Sequence, residues 1–209
     1  MTTIAVVKKN GYAAIAADTL TTFGSTRLPA HYDASHDKIL KYGDSYIGIC
    51  GSAAHHLVLE SVFRGTPNLK LHSKSEIFES FRRIHPILKE EHFLNPNEDE
   101  DDPYESSQIT ALIANPSGIY AVYSMREVFE YHKFWAIGSG NEYALGAMHQ
   151  AYNRFDNPAD IARVGVEAGA EFDKSSALPL TLYTVKLKNE ADNQWRLFQH
   201  PALETLKTA

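Results

Sequence analysis

Thr2 and Asp18 are the residues whose types and placement most directly suggest chemistry. Once Met1 is removed, Thr2 carries a hydroxyl and a free α-amine on one residue, which puts a nucleophile and a base together. The unperturbed pKa of such an amine, about 7.7–8.0, lies near the value a general base needs at neutral pH. With Met1 attached the same nitrogen is an amide and cannot act as a base. Between the two residues, the apolar runs Ile4–Val7 and Tyr12–Ala17 flank Asn10-Gly11, a pair that tolerates φ > 0 and marks a tight β-hairpin. Folding that hairpin brings the Thr2 hydroxyl back toward the Asp18 carboxylate.

Other reactive residue types carry less. Cys50 is the sole cysteine, and its apolar neighbours suit a buried structural thiol better than a nucleophile. The acidic run Glu98–Asp102 lies between prolines and reads as a solvated loop rather than a metal or basic-partner site. Ten histidines, His55-His56 among them, show no metal-ligand spacing. The residue types themselves call for no metal.

The chain has 209 residues, read as a single domain over 1–209, and a formal net charge of −6, which argues against a nucleic-acid partner. Hydrophobic residues make up 44% and no apolar run approaches a membrane span, so no membrane partner is expected. The lack of an apolar signal-peptide core and the lone cysteine point to the cytoplasm.

The elements that must position these residues follow from periodicity. After the first hairpin, Thr19–Thr26 reads as polar and turn-rich, and 37–42 with 46–50 forms a second hairpin about Gly43-Asp44, for four early strands. Gly51-Ser52 marks a strand-to-helix junction, with Ala54, Leu57, Val58 and Val62 on the apolar face of the helix that follows. Backbone N–H groups at such a junction can point at an anion. Ser73 and Glu76 form a capping box for a second helix, which Pro86 is expected to kink or break near His85. Strands are expected at 109–114, 119–123, 128–131 and 134–137, forming a second sheet. Two further helices follow, one after Gly138-Ser139-Gly140 with Ala144, Ala147, Met148, Ala151 and Phe155 inward. The other is capped by Asn157-Pro158, with Ile161, Val164, Ala168 and Phe172 inward. Strands at 180–187 and 195–198 close the chain. Two sheets each followed by a helix pair predict facing sheets covered by helices.

Several polar residues now fall at element ends. Taken singly, Ser139 reads as a helix N-cap, Asp173 as a surface residue after a helix, and Lys38 as a snorkelling strand charge. Taken together, Thr-Thr-Ile at the start, Asn-Gly, Ala-Ala-Asp18, Lys38, Gly51-Ser-Ala-Ala, Ala-Ile-Gly-Ser139-Gly and Asp173-x-x-Ser176 closely resemble proteasome β-type subunits. The N-terminal block is most similar to the bacterial HslV branch. The resemblance spans nearly the whole chain in order.

The resemblance implies an α+β fold, the four-layer αββα sandwich of N-terminal-nucleophile (Ntn) hydrolases, with two mainly antiparallel sheets. It implies a threonine peptidase in which Thr2 attacks peptide bonds, its own amine moves the proton, and Lys38 paired with Asp18 tunes both. The Gly51 N–H would hold the oxyanion, and Ser139, Asp173 and Ser176 would orient Thr2. Thr22, Gly51 and Ala53 would pair with an extended substrate through their backbones, while Ile49 and Cys50 floor a neutral, apolar pocket with Thr21 and Ala53 at its sides. It further implies a homo-oligomeric double ring fed with unfolded polypeptide or peptides, with an ATP-dependent unfoldase as partner. Leu59, Phe63, Phe78 and Phe93 are expected at subunit contacts.

Two departures stand out: His55 occupies a place usually acidic in the family, and 28–36 is a longer insertion ahead of Lys38. A catalytically silent ring subunit and an Ntn amidase acting on a small-molecule amide are the competing readings.

Overall fold

The computed structural model describes residues 2–95 and 104–188. The acidic run 98–102 and the expected strand at 195–198 lie outside the described residues. Eleven strands and four α-helices make up the described fold. The first hairpin pairs β1 (Ile4–Lys9) with β2 (Tyr12–Asp18), Lys9 opposite Tyr12, and both turn residues have positive φ, 50° at Asn10 and 77° at Gly11. β3 (Thr21–Phe23) and β4 (Thr26–Leu28) form a separate two-stranded ribbon in the segment expected to be turn. Its threonines suit strands, and with no face in the core it lacks the apolar alternation that would have marked it.

The second hairpin is β5 (Ile39–Tyr42) and β6 (Ser45–Cys50), followed by α1 (Ala53–Gly65) and α2 (Lys74–Glu90). Next come β7 (Thr110–Asn115), β8 (Gly118–Val122), β9 (Val128–Tyr131), β10 (Phe134–Ile137), α3 (Asn141–Ala151), α4 (Pro158–Phe172) and β11 (Leu180–Lys186). The sheets do not follow chain order. One runs β10-β1-β2-β11 and the other β5-β6-β7-β8-β9, so β10 leaves the strands that precede it and pairs antiparallel with β1.

Three apolar layers separate four layers of structure. Ile4, Val6 and Ile15 meet Leu112, Ala114 and Ile119 between the sheets. The alternate residues Ala5, Val7, Ala14 and Ala16 face α3 and α4. Because strand side chains alternate, a strand buried on both faces reads as a continuous apolar run, which is why β1 and β2 show no polar alternation. α1 and α2 cover the other sheet through Leu59, Phe63, Phe81, Ile84 and Leu88.

Several helix faces differ from the periodicity reading. On α1, Leu59, Val62 and Phe63 point inward while Leu57 is 69% exposed, so Leu59 and Phe63 are core residues and not subunit-contact candidates. α4 buries Ile161, Ala162, Gly165 and Val166 and leaves Phe172 exposed; Phe155, expected inward, lies beyond α3 and is exposed. Pro86 does not break α2. It sits on the exposed face of the helix, where the proline deprives the Arg82 carbonyl of its helical partner. The Ser73 hydroxyl accepts from the Glu76 amide as expected, but Glu76 reaches the amide of His72 rather than that of Ser73.

Candidate active site

Thr2 stands one residue before Thr3 at the head of β1 and is buried, 4% exposed. Asp18 ends β2 beside it and is wholly buried. A buried carboxylate needs donors for both oxygens, and Asp18 has four. Its Oδ1 accepts from Lys38 Nζ at 2.8 Å and the Thr3 amide at 3.0 Å. Its Oδ2 accepts from the amides of Leu20 at 3.0 Å and Ala177 at 3.1 Å. Lys38 enters from the other sheet, just before β5, and also donates to Thr2 Oγ1 at 2.9 Å. One ammonium thus joins the hydroxyl to the carboxylate. Burial pulls the Lys38 pKa below its ordinary value, and the charge and hydrogen bond of Asp18 oppose that pull. Because Thr2 Oγ1 accepts from Lys38, its own proton is free to be given to a base.

A second chain of hydrogen bonds reaches the Thr2 nitrogen. Its N–H donates to Ser139 Oγ at 3.3 Å, and Ser139 Oγ donates to Asp173 Oδ2 at 2.6 Å. Ser176 Oγ donates to the same oxygen at 2.7 Å and lies 2.7 Å from Thr3 Oγ1. Gly140, not Ser139, caps α3, which leaves the Ser139 hydroxyl for this network. Gly138, at φ 92°, is required here: a Cβ would lie 2.0 Å from the Thr2 carbonyl oxygen.

Burial alone would raise the Asp173 pKa, but the hydrogen bonds from Ser139 and Ser176 outweigh it and hold the carboxyl below its ordinary 3.8. A depressed folded pKa means that the unfolded chain binds more protons in the window between the two values. The stability Asp173 contributes is therefore complete above pH 3.8 and is lost as the pH falls through the folded value. Thermal unfolding of wild type and Asp173→Asn should differ most above that pH and converge below it; a gap that stays constant through the acid range would show that the ionised carboxylate is not what matters.

The cleft beside this network has a volume of about 890 Å³ and brings Thr2 and Lys38 together with Thr21, Thr22, Ile49, Gly51 and Ala53. Gly51, at φ 131°, turns the end of β6 into α1, whose N-cap is Ser52, its hydroxyl accepting from the Ala54 amide. Cys50, expected on the pocket floor, packs instead between the sheets. Adjacent strand residues face opposite sides, so Ile49 and Cys50 cannot both line the cleft. Burial pushes the Cys50 thiol up to about 11, away from nucleophile chemistry. The far wall holds His56, Glu60 and Arg64, the last two in a 2.6 Å ion pair, and the insertion supplies Leu28 and residues 33–36. His55 lies behind Gly51, its Nδ1 buried without a hydrogen bond and its pKa lowered by burial.

The reading from residue types missed Thr3, the Leu20 and Ala177 amides, and Gly138. Backbone donors carry no side-chain signature; only the Thr-Thr doublet offered a signal, since neighbouring strand residues serve opposite faces. Among the described residues no group of three or more His, Cys, Asp or Glu could hold a metal, and no helix is long and apolar enough to cross a membrane.

Two facing antiparallel sheets between helix pairs, with Thr2 heading the central β1, define the Ntn-hydrolase type of fold. The family model for the proteasome subunit matches residues 1–172. Among solved structures, the chain is similar to the BPH of Thiobacillus denitrificans in complex with epoxomicin, at 42% identity and a TM-score of 0.84 over 90% of this chain and 100% of that one. A second structure of that BPH matches at 42% and 0.83, over 89% and 98%. The eukaryotic HslV of Trypanosoma brucei shares the fold at 17% identity, with a TM-score of 0.63 over 88% of this chain and 99% of that one. No match was found among curated proteins. This chain belongs to the proteasome subunit family, whose members assemble into rings.

Proposed function

We propose that this chain is the threonine peptidase subunit of a self-compartmentalising double ring, active once Met1 is removed. The observation that carries the reading is the Lys38 ammonium held between Thr2 Oγ1 and Asp18 Oδ1. The freed Thr2 amine takes the Oγ1 proton as Oγ1 bonds to the substrate carbonyl carbon. Lys38 stabilises the developing alkoxide and the Gly51 N–H the oxyanion. The C–N bond then breaks, the amine returns the proton to the leaving nitrogen, and an ester on Thr2 remains. Water, deprotonated by the same amine, then attacks the ester carbonyl carbon, the C–Oγ1 bond breaks, and the amine returns the proton to Oγ1 as the second product leaves as the acid. Ser139, Asp173 and Ser176 hold the amine in place throughout, and no cofactor enters.

Thr22, Gly51 and Ala53 pair with the substrate backbone, and Thr21 with Ile49 favours apolar side chains before the scissile bond. Leu57, Phe78, Phe93 and Phe172, exposed on or after the helices, supply apolar surface for contacts between subunits. In a closed chamber the substrates are peptides or unfolded chains, delivered in the cytoplasm by an ATP-dependent unfoldase.

Intact and native mass spectrometry with a peptide library test this reading together. The expected result is loss of one Met, a ring-sized assembly, and cleavage after apolar residues. Epoxomicin, found in complex with the Thiobacillus protein, should bind the processed form. Retained Met1 with no turnover would make the chain a silent ring subunit; a fully active monomer would remove the compartment.

A further inference from the structure

We infer that Asp37, tied across the two sheets to Thr181 and Tyr183, is the residue that positions Lys38 against Thr2. The inference rests on the proposed role of Lys38 in catalysis and adds the device that sets its place.

Thr2 and Asp18 belong to the four-stranded sheet, whereas Lys38 precedes β5 in the five-stranded one. Backbone ladders fix register within a sheet but not between two sheets packed face to face, so the reach of Lys38 to Thr2 depends on how the sheets are held together. Asp37 supplies a polar tie at that point. Its Oδ1 accepts from the Ile39 amide at 2.9 Å, which folds the carboxylate back over the start of β5. The same oxygen accepts from Thr181 Oγ1 at 2.9 Å, and Oδ2 accepts from the Tyr183 hydroxyl at 2.5 Å. Both hydroxyls come from β11, two residues apart and so on one face.

The tie closes a circuit. On β11, Thr181 lies opposite Ala17 and Leu180 opposite Asp18, so the strand that anchors Asp37 is in backbone register with the residue that holds the Lys38 ammonium. Just upstream, the Ala177 amide donates to Asp18 Oδ2. Residues 177–183 therefore grip both partners of the Lys38–Asp18 pair, Asp18 directly and Lys38 through its neighbour. Tyr183 also stacks on Tyr46 of β6, ring centroids 4.7 Å apart, which adds an apolar contact across the same gap. The hydrogen bond to Asp37, then burial, pushes the Tyr183 hydroxyl up to about 12, so it stays a donor through the neutral range.

Asp37 acts through position rather than charge. The carboxylates that act on Lys38 are Asp18 and Asp173, while the Asp37 oxygens are taken up by three other donors. Near-attack geometry tolerates little displacement, so a shift of about 1 Å in the ammonium is enough to lower the rate.

The test uses the full-length processed protein with Tyr183→Phe, Thr181→Val and the two combined. Each keeps Asp37 and the core, and Tyr183→Phe keeps the stack on Tyr46. For the double variant kcat should fall by about tenfold with KM within twofold of wild type, since the cleft wall is intact. Carbon-13 labelling at lysine Cε gives a second readout: Lys38 should titrate below ordinary lysines in wild type, and its titration should shift in the double variant, where the ammonium moves relative to Asp18. Unchanged kcat, a rise in KM alone, or a lower kcat with the Lys38 resonance unmoved would each overturn the inference. If processed wild type turns over no peptide, the peptidase reading fails by itself, and the Lys38 resonance then decides the tie alone.

Discussion

Thr2→Ala is expected to lower peptide turnover by about 10⁴-fold or more, because in the proposed reaction Thr2 Oγ1 forms the acyl-enzyme and the other groups bind and polarise. The substitution should hardly touch the fold. Thr2 Oγ1 accepts a single hydrogen bond, from Lys38, and Lys38 keeps its bond to Asp18 when that hydroxyl is gone. A lost hydrogen bond with one partner still satisfied costs about 1 kcal/mol, well within the stability of a domain this size. Ring assembly and the unfolding midpoint should therefore match wild type. Thr2→Ser keeps nucleophile and amine together and should retain turnover, which separates loss of chemistry from loss of shape. Wild-type turnover by purified Thr2→Ala protein would mean that the nucleophile lies elsewhere.

What the sequence made legible was local. The Asn10-Gly11 turn, the strand-to-helix junction at Gly51-Ser52, the caps at Ser73 and Asn157, and the ends of most strands depend on neighbouring residues, and these were read nearly in place. The partition of strands between sheets was not readable, because β10 joins β1 across the length of the chain and no turn signal reports that pairing. α1 shows a different limit: Ala54, Leu57, Val58 and Val62 fit a helical stripe as well as Leu59, Val62 and Phe63 do, and only the sheet beneath chooses between them. At the site, Thr2, Asp18 and Lys38 were visible as reactive types at strand ends. Asp37, Thr181 and Tyr183 were not, since each is an ordinary strand or turn residue until the two sheets face each other.

Removing the ammonium of Lys38 should be the second most damaging change to turnover, and its effect on stability should differ in a definite way from that of its partner. Breaking a buried ion pair from one side costs about 3–5 kcal/mol, mostly through the charge left behind. Here the two sides are unequal. Without Lys38, the buried Asp18 carboxylate still accepts from the amides of Thr3, Leu20 and Ala177, so Lys38→Met should fall at the low end of that range. Without the Asp18 carboxylate, as in Asp18→Ala, the ammonium loses its counter-ion while its side chain is 13% exposed, and three backbone donors lose their acceptor; this variant should fall at the high end. Methionine is the apt replacement because it keeps much of the length and packing of lysine while deleting the charge. Turnover by Lys38→Met should drop by about 10²–10³-fold with assembly preserved, the size of effect seen when one donor to a developing oxyanion is removed. Chemical denaturation of both variants beside their peptidase rates provides the measurement. Lys38→Met that folds, assembles and cleaves at the wild-type rate would show that the ammonium only braces the start of β1 and takes no part in activating Thr2.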